Sequence, residues 1–344
     1  MNAPPSPEIS RPLVVHARTV FNQQQILPLV QALALPLYWL IGREAFGLVG
    51  LAAAVFMLLA PFCAHSIVVG IGFVVAYVNQ HERSGLRHSR RRDWLIAFVR
   101  EAAVSIRQFY WLMPFRAGFR PPEPTQSPRR LPVILVHGYG CNRGLWLPAV
   151  KWLSRKGYRV SALDLHPLHC SIDIYAPAIA HEVERVKAAT GSRRVVVIGH
   201  SMGGLAARAY LRHCEERHQD PGLAALITLG TPHRGTHIAH IGLGENARQM
   251  RFRGTWVTQL ERHDQQPRGS DAPSTALSPG CQVVSITSLQ DNIVSRPFEQ
   301  RIARAGARSV VVRRQGHMSL ATSERIFRLI DRILSSPRVQ RPPP

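Results

Sequence analysis

The stretch Arg194-Val195-Val196-Val197-Ile198-Gly199-His200-Ser201-Met202-Gly203-Gly204 decides how the chain is read. Four consecutive β-branched residues predict a buried strand. The segment from Gly204 to His213 that follows reads as a helix. A serine caught between the two sits on a sharp turn, in a strained backbone conformation that only small residues two positions away accommodate, and Gly199 and Gly203 are those residues. A G-x-S-x-G pattern arises by chance about 0.1 times in a chain of this length, so the strand and helix around it carry the weight. The helix start also aims free N–H groups at any negative charge that develops beside Ser201.

Outward from this turn, short β-branched runs alternate with helical stretches: Val133 to Val136, Tyr158 to Leu163, Val195 to Ile198, Leu223 to Leu229, Gln282 to Ile286 and Ser309 to Val312. Six strands separated by helices predict an α/β domain, a mostly parallel sheet with helices on both faces. In such sheets chemistry gathers at the carboxyl ends of the strands.

The strand, turn and helix around Ser201, taken with Val136-His137-Gly138-Tyr139-Gly140 and Thr228-Leu229-Gly230-Thr231-Pro232-His233, resemble the α/β-hydrolase superfamily, and within it the lipase and esterase branch. The resemblance covers about Arg129 to Ile333 and departs from the family at its front, where opening antiparallel strands are not evident. It implies cleavage of carboxylic esters through an acyl-serine, with no metal or cofactor. A serine hydroxyl is a weak nucleophile and needs a histidine base oriented by a carboxylate. The family's chain order of serine, acid and histidine assigns Asp291, after Gln282 to Ile286, and His317, after Ser309 to Val312. Asp264 and Asp271 are rival acids, but they precede the strand. The resemblance assigns the oxyanion N–H groups to Met202 and Tyr139, with Gly138 and Gly140 allowing close backbone approach to substrate. His137 reads as a hydrogen-bonder that shapes this loop rather than a base.

His233, His237 and His240 are spaced to share one helical face as metal ligands, but Gly235 weakens that helix and no nearby Cys or carboxylate completes a site; the resemblance puts His233 in the loop after Thr231-Pro232. Residues 236–280 form a long insertion whose apolar members are Leu243, Met250, Phe252, Trp256 and Leu260, read as a lid or a static cap.

Ahead of this half, Ile26 to Gly42 holds 17 residues without a charge, and Ala45 to Val78 holds 34 without Asp, Glu, Lys or Arg. The second run is long enough for about 51 Å of helix, against about 30 Å of hydrocarbon, so it is read as one tilted span or as two short ones broken near Pro61. Arg11 and Arg18 precede the first run, while Arg83, Arg87, Arg90, Arg91 and Arg92 follow the second. A two-span hairpin puts both basic flanks in the cytoplasm, as the positive-inside rule prefers, and the hydrolase on the cytoplasmic face of a bacterial-type inner membrane. His65, inside the second run, reads as a partner for a neighbouring helix. Trp94, Leu95, Phe98, Val99, Ala102, Ile106, Phe109 and Tyr110 form one face of an amphipathic helix, set against the membrane or the next domain. Four prolines, Pro121, Pro122, Pro124 and Pro128, then make an extended linker. The expected organisation is a polar tail (1–24), a transmembrane hairpin (25–80), a basic helix and linker (81–128), a hydrolase domain (129–335) and a disordered C-terminal tail (336–344).

The chain has 344 residues with a formal charge of +22, and only three of its 43 basic residues are lysines. Its arginines are spread along the chain rather than gathered in a stripe with aromatics, which argues against nucleic acid as a partner. Five cysteines, without metal-ligand spacing, suggest neither a zinc site nor a disulfide framework. The sequence therefore reads as a membrane-anchored ester hydrolase acting on lipid-like acyl esters. Acyl transfer by the same triad, or a scaffold without turnover, are its rivals. Anchor and site read as separate parts, so removal of residues 1–80 is expected to spare turnover of a soluble ester.

Overall fold

Runs of Val, Ile and Leu hidden on both faces are what a parallel sheet between two helical layers requires. The computed structural model describes residues 23–81, 90–120, 130–265 and 281–340. Its strands are β1 (Val133–Val136), β2 (Val160–Leu163), β3 (Val195–His200), β4 (Leu223–Leu229), β5 (Gln282–Ser288) and β6 (Arg308–Val312). Among the described residues they form one six-stranded sheet, ordered β2-β1-β3-β4-β5-β6 and parallel throughout.

Side chains alternate across this sheet. Val133, Leu135, Val196 and Ile198 join Trp146, Leu153 and Phe327 in one core layer, while Ile134, Val136, Val195 and Val197 join Ile179, Val183 and Leu205 in the other. At about 25 cal/mol per Å² of apolar surface withdrawn from water, these two layers supply the main folding drive.

Ahead of the sheet come α1 (Ile26–Leu33), α2 (Leu35–Phe46), α3 (Gly50–His81), α4 (Arg91–Arg107), a π-helical turn (Gln108–Leu112) and α5 (Met113–Arg116). The helix α3 runs through Pro61 unbroken, so the break considered there does not occur; the long apolar run instead turns at its start, where Ala45 and Phe46 end α2. The partner of α3 is the α1–α2 segment, turned back at Gly47 with φ +64°, a conformation open to glycine. Much of α3 is exposed and apolar, as at Leu51, Val68, Ile71 and Val74, whereas Phe73 and Ala76 pack on Trp94 and Ala97 of α4. The basic flanks at Arg11, Arg18, Arg83 and Arg87, the four linker prolines and Asp271 lie outside the described residues.

The expected stripe of α4 is divided between burial and exposure. Leu95 and Val99 are exposed, and the buried side is Trp94, Ala97, Glu101, Ala102 and Ser105. Two neighbours explain this: α3 needs small residues for close approach, and backbone groups of the sheet-bearing half need the polar ones. His65 on α3 is within 2.7 Å of Ser105 Oγ. At the end of the segment Met113 is fully buried in the first core layer, and its carbonyl accepts from Asn142 Nδ2 at 2.9 Å.

The remaining helices are α6 (Leu147–Arg155), α7 (Tyr175–Thr190), α8 (Met202–Glu216), α9 (Gly244–Gln249), α10 (Thr255–Gln265), α11 (His317–Thr322), α12 (Glu324–Leu334) and α13 (Pro337–Gln340). The last of these corrects the expected disordered tail: Val339 is buried in the first core layer, which holds this turn in place. The described part of the insertion, 236–265, divides in two. Met250, Trp256 and Leu260 enter the second core layer, and α10 is fastened by Asp264, which takes Arg208 at 2.7 Å and Arg304 at 3.0 Å. Ile238, Ile241 and Leu243 stay exposed. With Arg208 and Asp264 both buried, removing one partner strands charge in the core. Arg208→Met is expected to cost about 3 kcal/mol, read as a lower unfolding midpoint by circular dichroism.

Candidate active site

Parallel pairing fixes where the site lies. Val136 at the end of β1 is in register with Gly199 on β3, and His200 with Leu229 on β4, so the loops after these strands open at one end of the sheet. Ser201 follows β3 at φ 55°, ψ −124°, and its N–H donates to Leu229 O at 2.9 Å. The turn is too tight for a side chain beside it: a Cβ on Gly199 would lie 2.6 Å from Gly203 O, and one on Gly203 would run into the Val136 and His137 carbonyls. Gly138 presses on the serine itself, since a Cβ there would stand 2.8 Å from Ser201 Cβ. This brings the Tyr139 backbone to the same place as the start of α8, where Met202 has its N–H among the unpaired donors of the first turn.

His317 begins α11, and its Nδ1 faces the Asp291 carboxylate at 3.0 and 3.1 Å. Asp291 is held in turn by the N–H groups of Ile293 at 2.9 Å and Val294 at 2.7 Å. Burial would by itself pull the His317 imidazole down, but the Asp291 charge and hydrogen bond outweigh it, and its pKa is raised above the ordinary histidine value. With Nδ1 engaged, Nε2 is the nitrogen left for substrate chemistry. The rival Asp264 is committed to Arg208 and Arg304. Ser201 and His317 line the same cavity.

Other histidines sort by their partners. Leu165 N–H donates to His137 Nε2 at 3.0 Å, which leaves its Nδ1 to donate to Gly138 O at 2.9 Å, so His137 fastens the loop after β1. His233 accepts from Arg208 at 3.2 Å and lies 3.0 Å from Thr228 Oγ1. His237 stacks on Phe252, and His240 turns to the His237 carbonyl, so these three do not converge as ligands; among the described residues no three His, Cys, Asp or Glu gather as a metal site. The described cysteines are all free thiols.

Sequence reasoning missed His200. Its Nε2–H donates to His317 O at 3.0 Å, and the two rings stand 4.7 Å apart. Burial, and then the neighbouring His317, keep its imidazole well below the ordinary value and hence neutral. Its position inside the G-x-S-x-G turn was visible, but its partner 117 residues away was not.

The cavity has a volume of about 920 Å³, and its walls were also unforeseen. Beside Ser201, His317, Tyr139 and the insertion's Ile238 and Leu243, it is lined by Val68, Gly72 and Val75 of α3. Gly72 approaches so closely that a Cβ would be 3.1 Å from Asn292 O. Gln80, at the end of α3, donates to Leu289 O at 2.7 Å, and Gln24, just before α1, donates to Cys141 O at 3.3 Å. The front-end helices and the site are therefore not separate parts, as the sequence reading held them to be: α3 is a wall of the cavity.

A family model described as the alpha/beta hydrolase fold matches residues 132–319, and the chain belongs to that family. Over 123 residues it is 32% identical to triacylglycerol lipases of Pseudarthrobacter phenanthrenivorans and Burkholderia plantarii, covering 33% of this chain and 37% and 33% of theirs. This chain thus spans about a third of the length of those relatives. Among solved structures, a lipase of Bacillus licheniformis superposes with TM-score 0.51 at 17% identity, covering 63% of this chain and 98% of that one. Lipase B of Aspergillus fumigatus gives 0.50 at 16%, covering 62% and 55%. These likenesses bear on the fold.

Gly230 closes the site from behind. At φ +57°, a Cβ there would lie 3.0 Å from Asp291 Oδ2 and 3.2 Å from His317 Nδ1. Gly230→Ala is expected to push the pair apart and lower the His317 pKa, followed through its imidazole C–H resonance by NMR titration.

Proposed function

We propose that the protein is a membrane-anchored serine hydrolase that cleaves carboxylic esters of lipid-like alcohols or acids. Ser201 Oγ attacks the ester carbonyl carbon while its proton passes to His317 Nε2. Asp291 holds the imidazole and stabilises its charge, and the Tyr139 and Met202 N–H groups take the oxyanion. The leaving alkoxide receives that proton, and water, deprotonated by the same nitrogen, releases the acid from Ser201. The observation that carries this reading is the strained Ser201 and the His317–Asp291 pair opening into a single cavity.

The choice of lipid-like substrate rests on the cavity wall contributed by α3 and on its rim, where Val68, Ile71 and Val75 meet Ile241 and Leu243, all exposed. Apolar surface of this kind suits an acyl chain. Anchoring rests on the two helical segments, 23–46 and 50–80, long and apolar enough to cross a bilayer. Both ends of that pair, at Gln24 and Gln80, meet the hydrolase half, which favours a hairpin returning to one side.

A fluorophosphonate probe applied to the full-length protein in membranes tests the reading. Wild type should label and Ser201→Ala should not; a folded wild type that stays unlabelled would count against an activated serine. Since the neutral imidazole is the base, kcat/KM for a soluble ester should fall as pH drops through the raised His317 value, and the limb should move to lower pH in Asp291→Asn, whose turnover falls by several orders of magnitude. Removal of residues 1–80 should cut turnover of a long-chain ester about tenfold or more, because the α3 wall leaves with it.

A further inference from the structure

Glu101 belongs to α4, far from the sheet in sequence, yet its side chain ends beside the histidine loop. It is 1% exposed, and a carboxylate that deep requires donors. Its two oxygens accept Met318 N–H at 2.6 Å and Ser319 N–H at 2.9 Å, the residues that directly follow His317. Burial raises the carboxyl above its ordinary value, and the two N–H donors, with the charge that His317 takes up, pull it back toward the ionised form; one N–H aimed at each oxygen is what a carboxylate accepts. On the other side of His317, Gly316 is pressed against the same group: a Cβ there would stand 2.5 Å from both Glu101 Cδ and Oε2. The Gly316 N–H goes to Ser319 Oγ at 2.7 Å, and the His317 N–H goes to Asn292 Oδ1 at 3.0 Å. Every backbone N–H from 316 to 319 is thereby assigned, two of the four to Glu101.

We propose that Glu101 is a positioning residue for His317: it fixes the backbone on both sides of the imidazole and sets a second negative charge near it, so the helical front end supplies a working part of the reaction centre. This assignment rests on the serine hydrolase reading above. The charged and titratable groups facing His317 are Asp291 from the loop after β5, Glu101 from α4 and the neutral His200 from the turn after β3. Nearby guanidiniums are turned elsewhere, Arg314 to Asp93 at 2.6 Å and Arg100 to the Arg314 carbonyl at 2.9 Å. Glu101 therefore keeps its charge for the histidine loop, where it favours the imidazolium that forms as Ser201 is deprotonated.

The test uses full-length protein and a soluble short-chain ester, comparing wild type with Glu101→Gln, Gly316→Ala and the double variant, beside Ser201→Ala and His317→Ala. Glutamine keeps the shape and loses the charge and one acceptor. The expected result is a kcat about tenfold lower with KM changed by less than about twofold, and an acid limb of kcat/KM displaced by about one pH unit to lower pH, since a negative charge raises the histidine's pKa. Gly316→Ala displaces the carboxylate from the other side, so the double variant should be no worse than the weaker single one, the signature of a shared contact. A wild-type kcat and an unmoved limb in Glu101→Gln would overturn the assignment. So would a loss that follows only the fraction unfolded, measured by thermal melting, with the limb in place. In both cases inactive Ser201→Ala and His317→Ala leave the triad standing. Activity retained in either of those two would overturn the triad itself, and the role of Glu101 with it.

Discussion

Everything at the carboxyl end of the sheet depends on holding Ser201 at φ 55°, ψ −124°. A non-glycine residue in such a conformation costs about 1–3 kcal/mol and persists only where its surroundings leave no alternative. Here they leave none. The strand β3 enters from a fully buried sheet position, α8 leaves at once, and Gly199, Gly203 and Gly204 allow contacts to Val136, His137 and Thr231 that any side chain would block. The same closeness gathers the other parts. Because β1 ends beside β3, its loop lands on the serine; because β4 and β5 follow in order on the other side, Gly230 and Asp291 arrive together.

A second layer of constraint acts through neutral histidines and committed charges. His137 ties the loop after β1 to the end of β2, and His200 ties the serine turn to the His317 carbonyl. Neither is placed to serve as a base, since burial lowers both, both His137 nitrogens face backbone groups and His200 Nε2 is committed to the His317 carbonyl. Arg208, Asp264 and Arg304 form a buried cluster that anchors the insertion by one end, leaving the apolar stretch from Ile238 to Leu243 at the cavity rim. The result is an insertion that is fixed where it is charged and exposed where it is apolar.

How much of this was legible in the sequence follows from the range of the interactions. Strands announced themselves by β-branched runs, and the turn at Ser201 by glycines two residues away on either side. The pairing of His317 with Asp291 was reached through chain order, which is topology expressed along the sequence. What escaped was which residues join the front end to the hydrolase half. Glu101 and Met318 are 217 residues apart, and Gln80 and Leu289 are 209 apart; such pairs leave no periodic trace. On α4 the apolar stripe was legible, but not that Ala97, Glu101 and Ser105 beside it meet partners.

One consequence concerns how α3 is able to change over evolutionary time. A helix that merely holds a protein to a bilayer tolerates almost any exchange among apolar residues, because lipid fits itself to the side chains offered. On α3 that freedom ends at the face bearing Gly72, Phe73 and Ala76, where the Asn292 carbonyl and the Trp94 and Phe98 rings stand against the helix. With α3 in a bilayer, as proposed above, its sequence answers to two solvents at once, a fluid one on the outer side and a solid one on the inner. Drift should be fast at Leu51 and Val74 and slow at Gly72 and Ala76, a helical pattern of tolerance in a segment that composition alone makes look uniform.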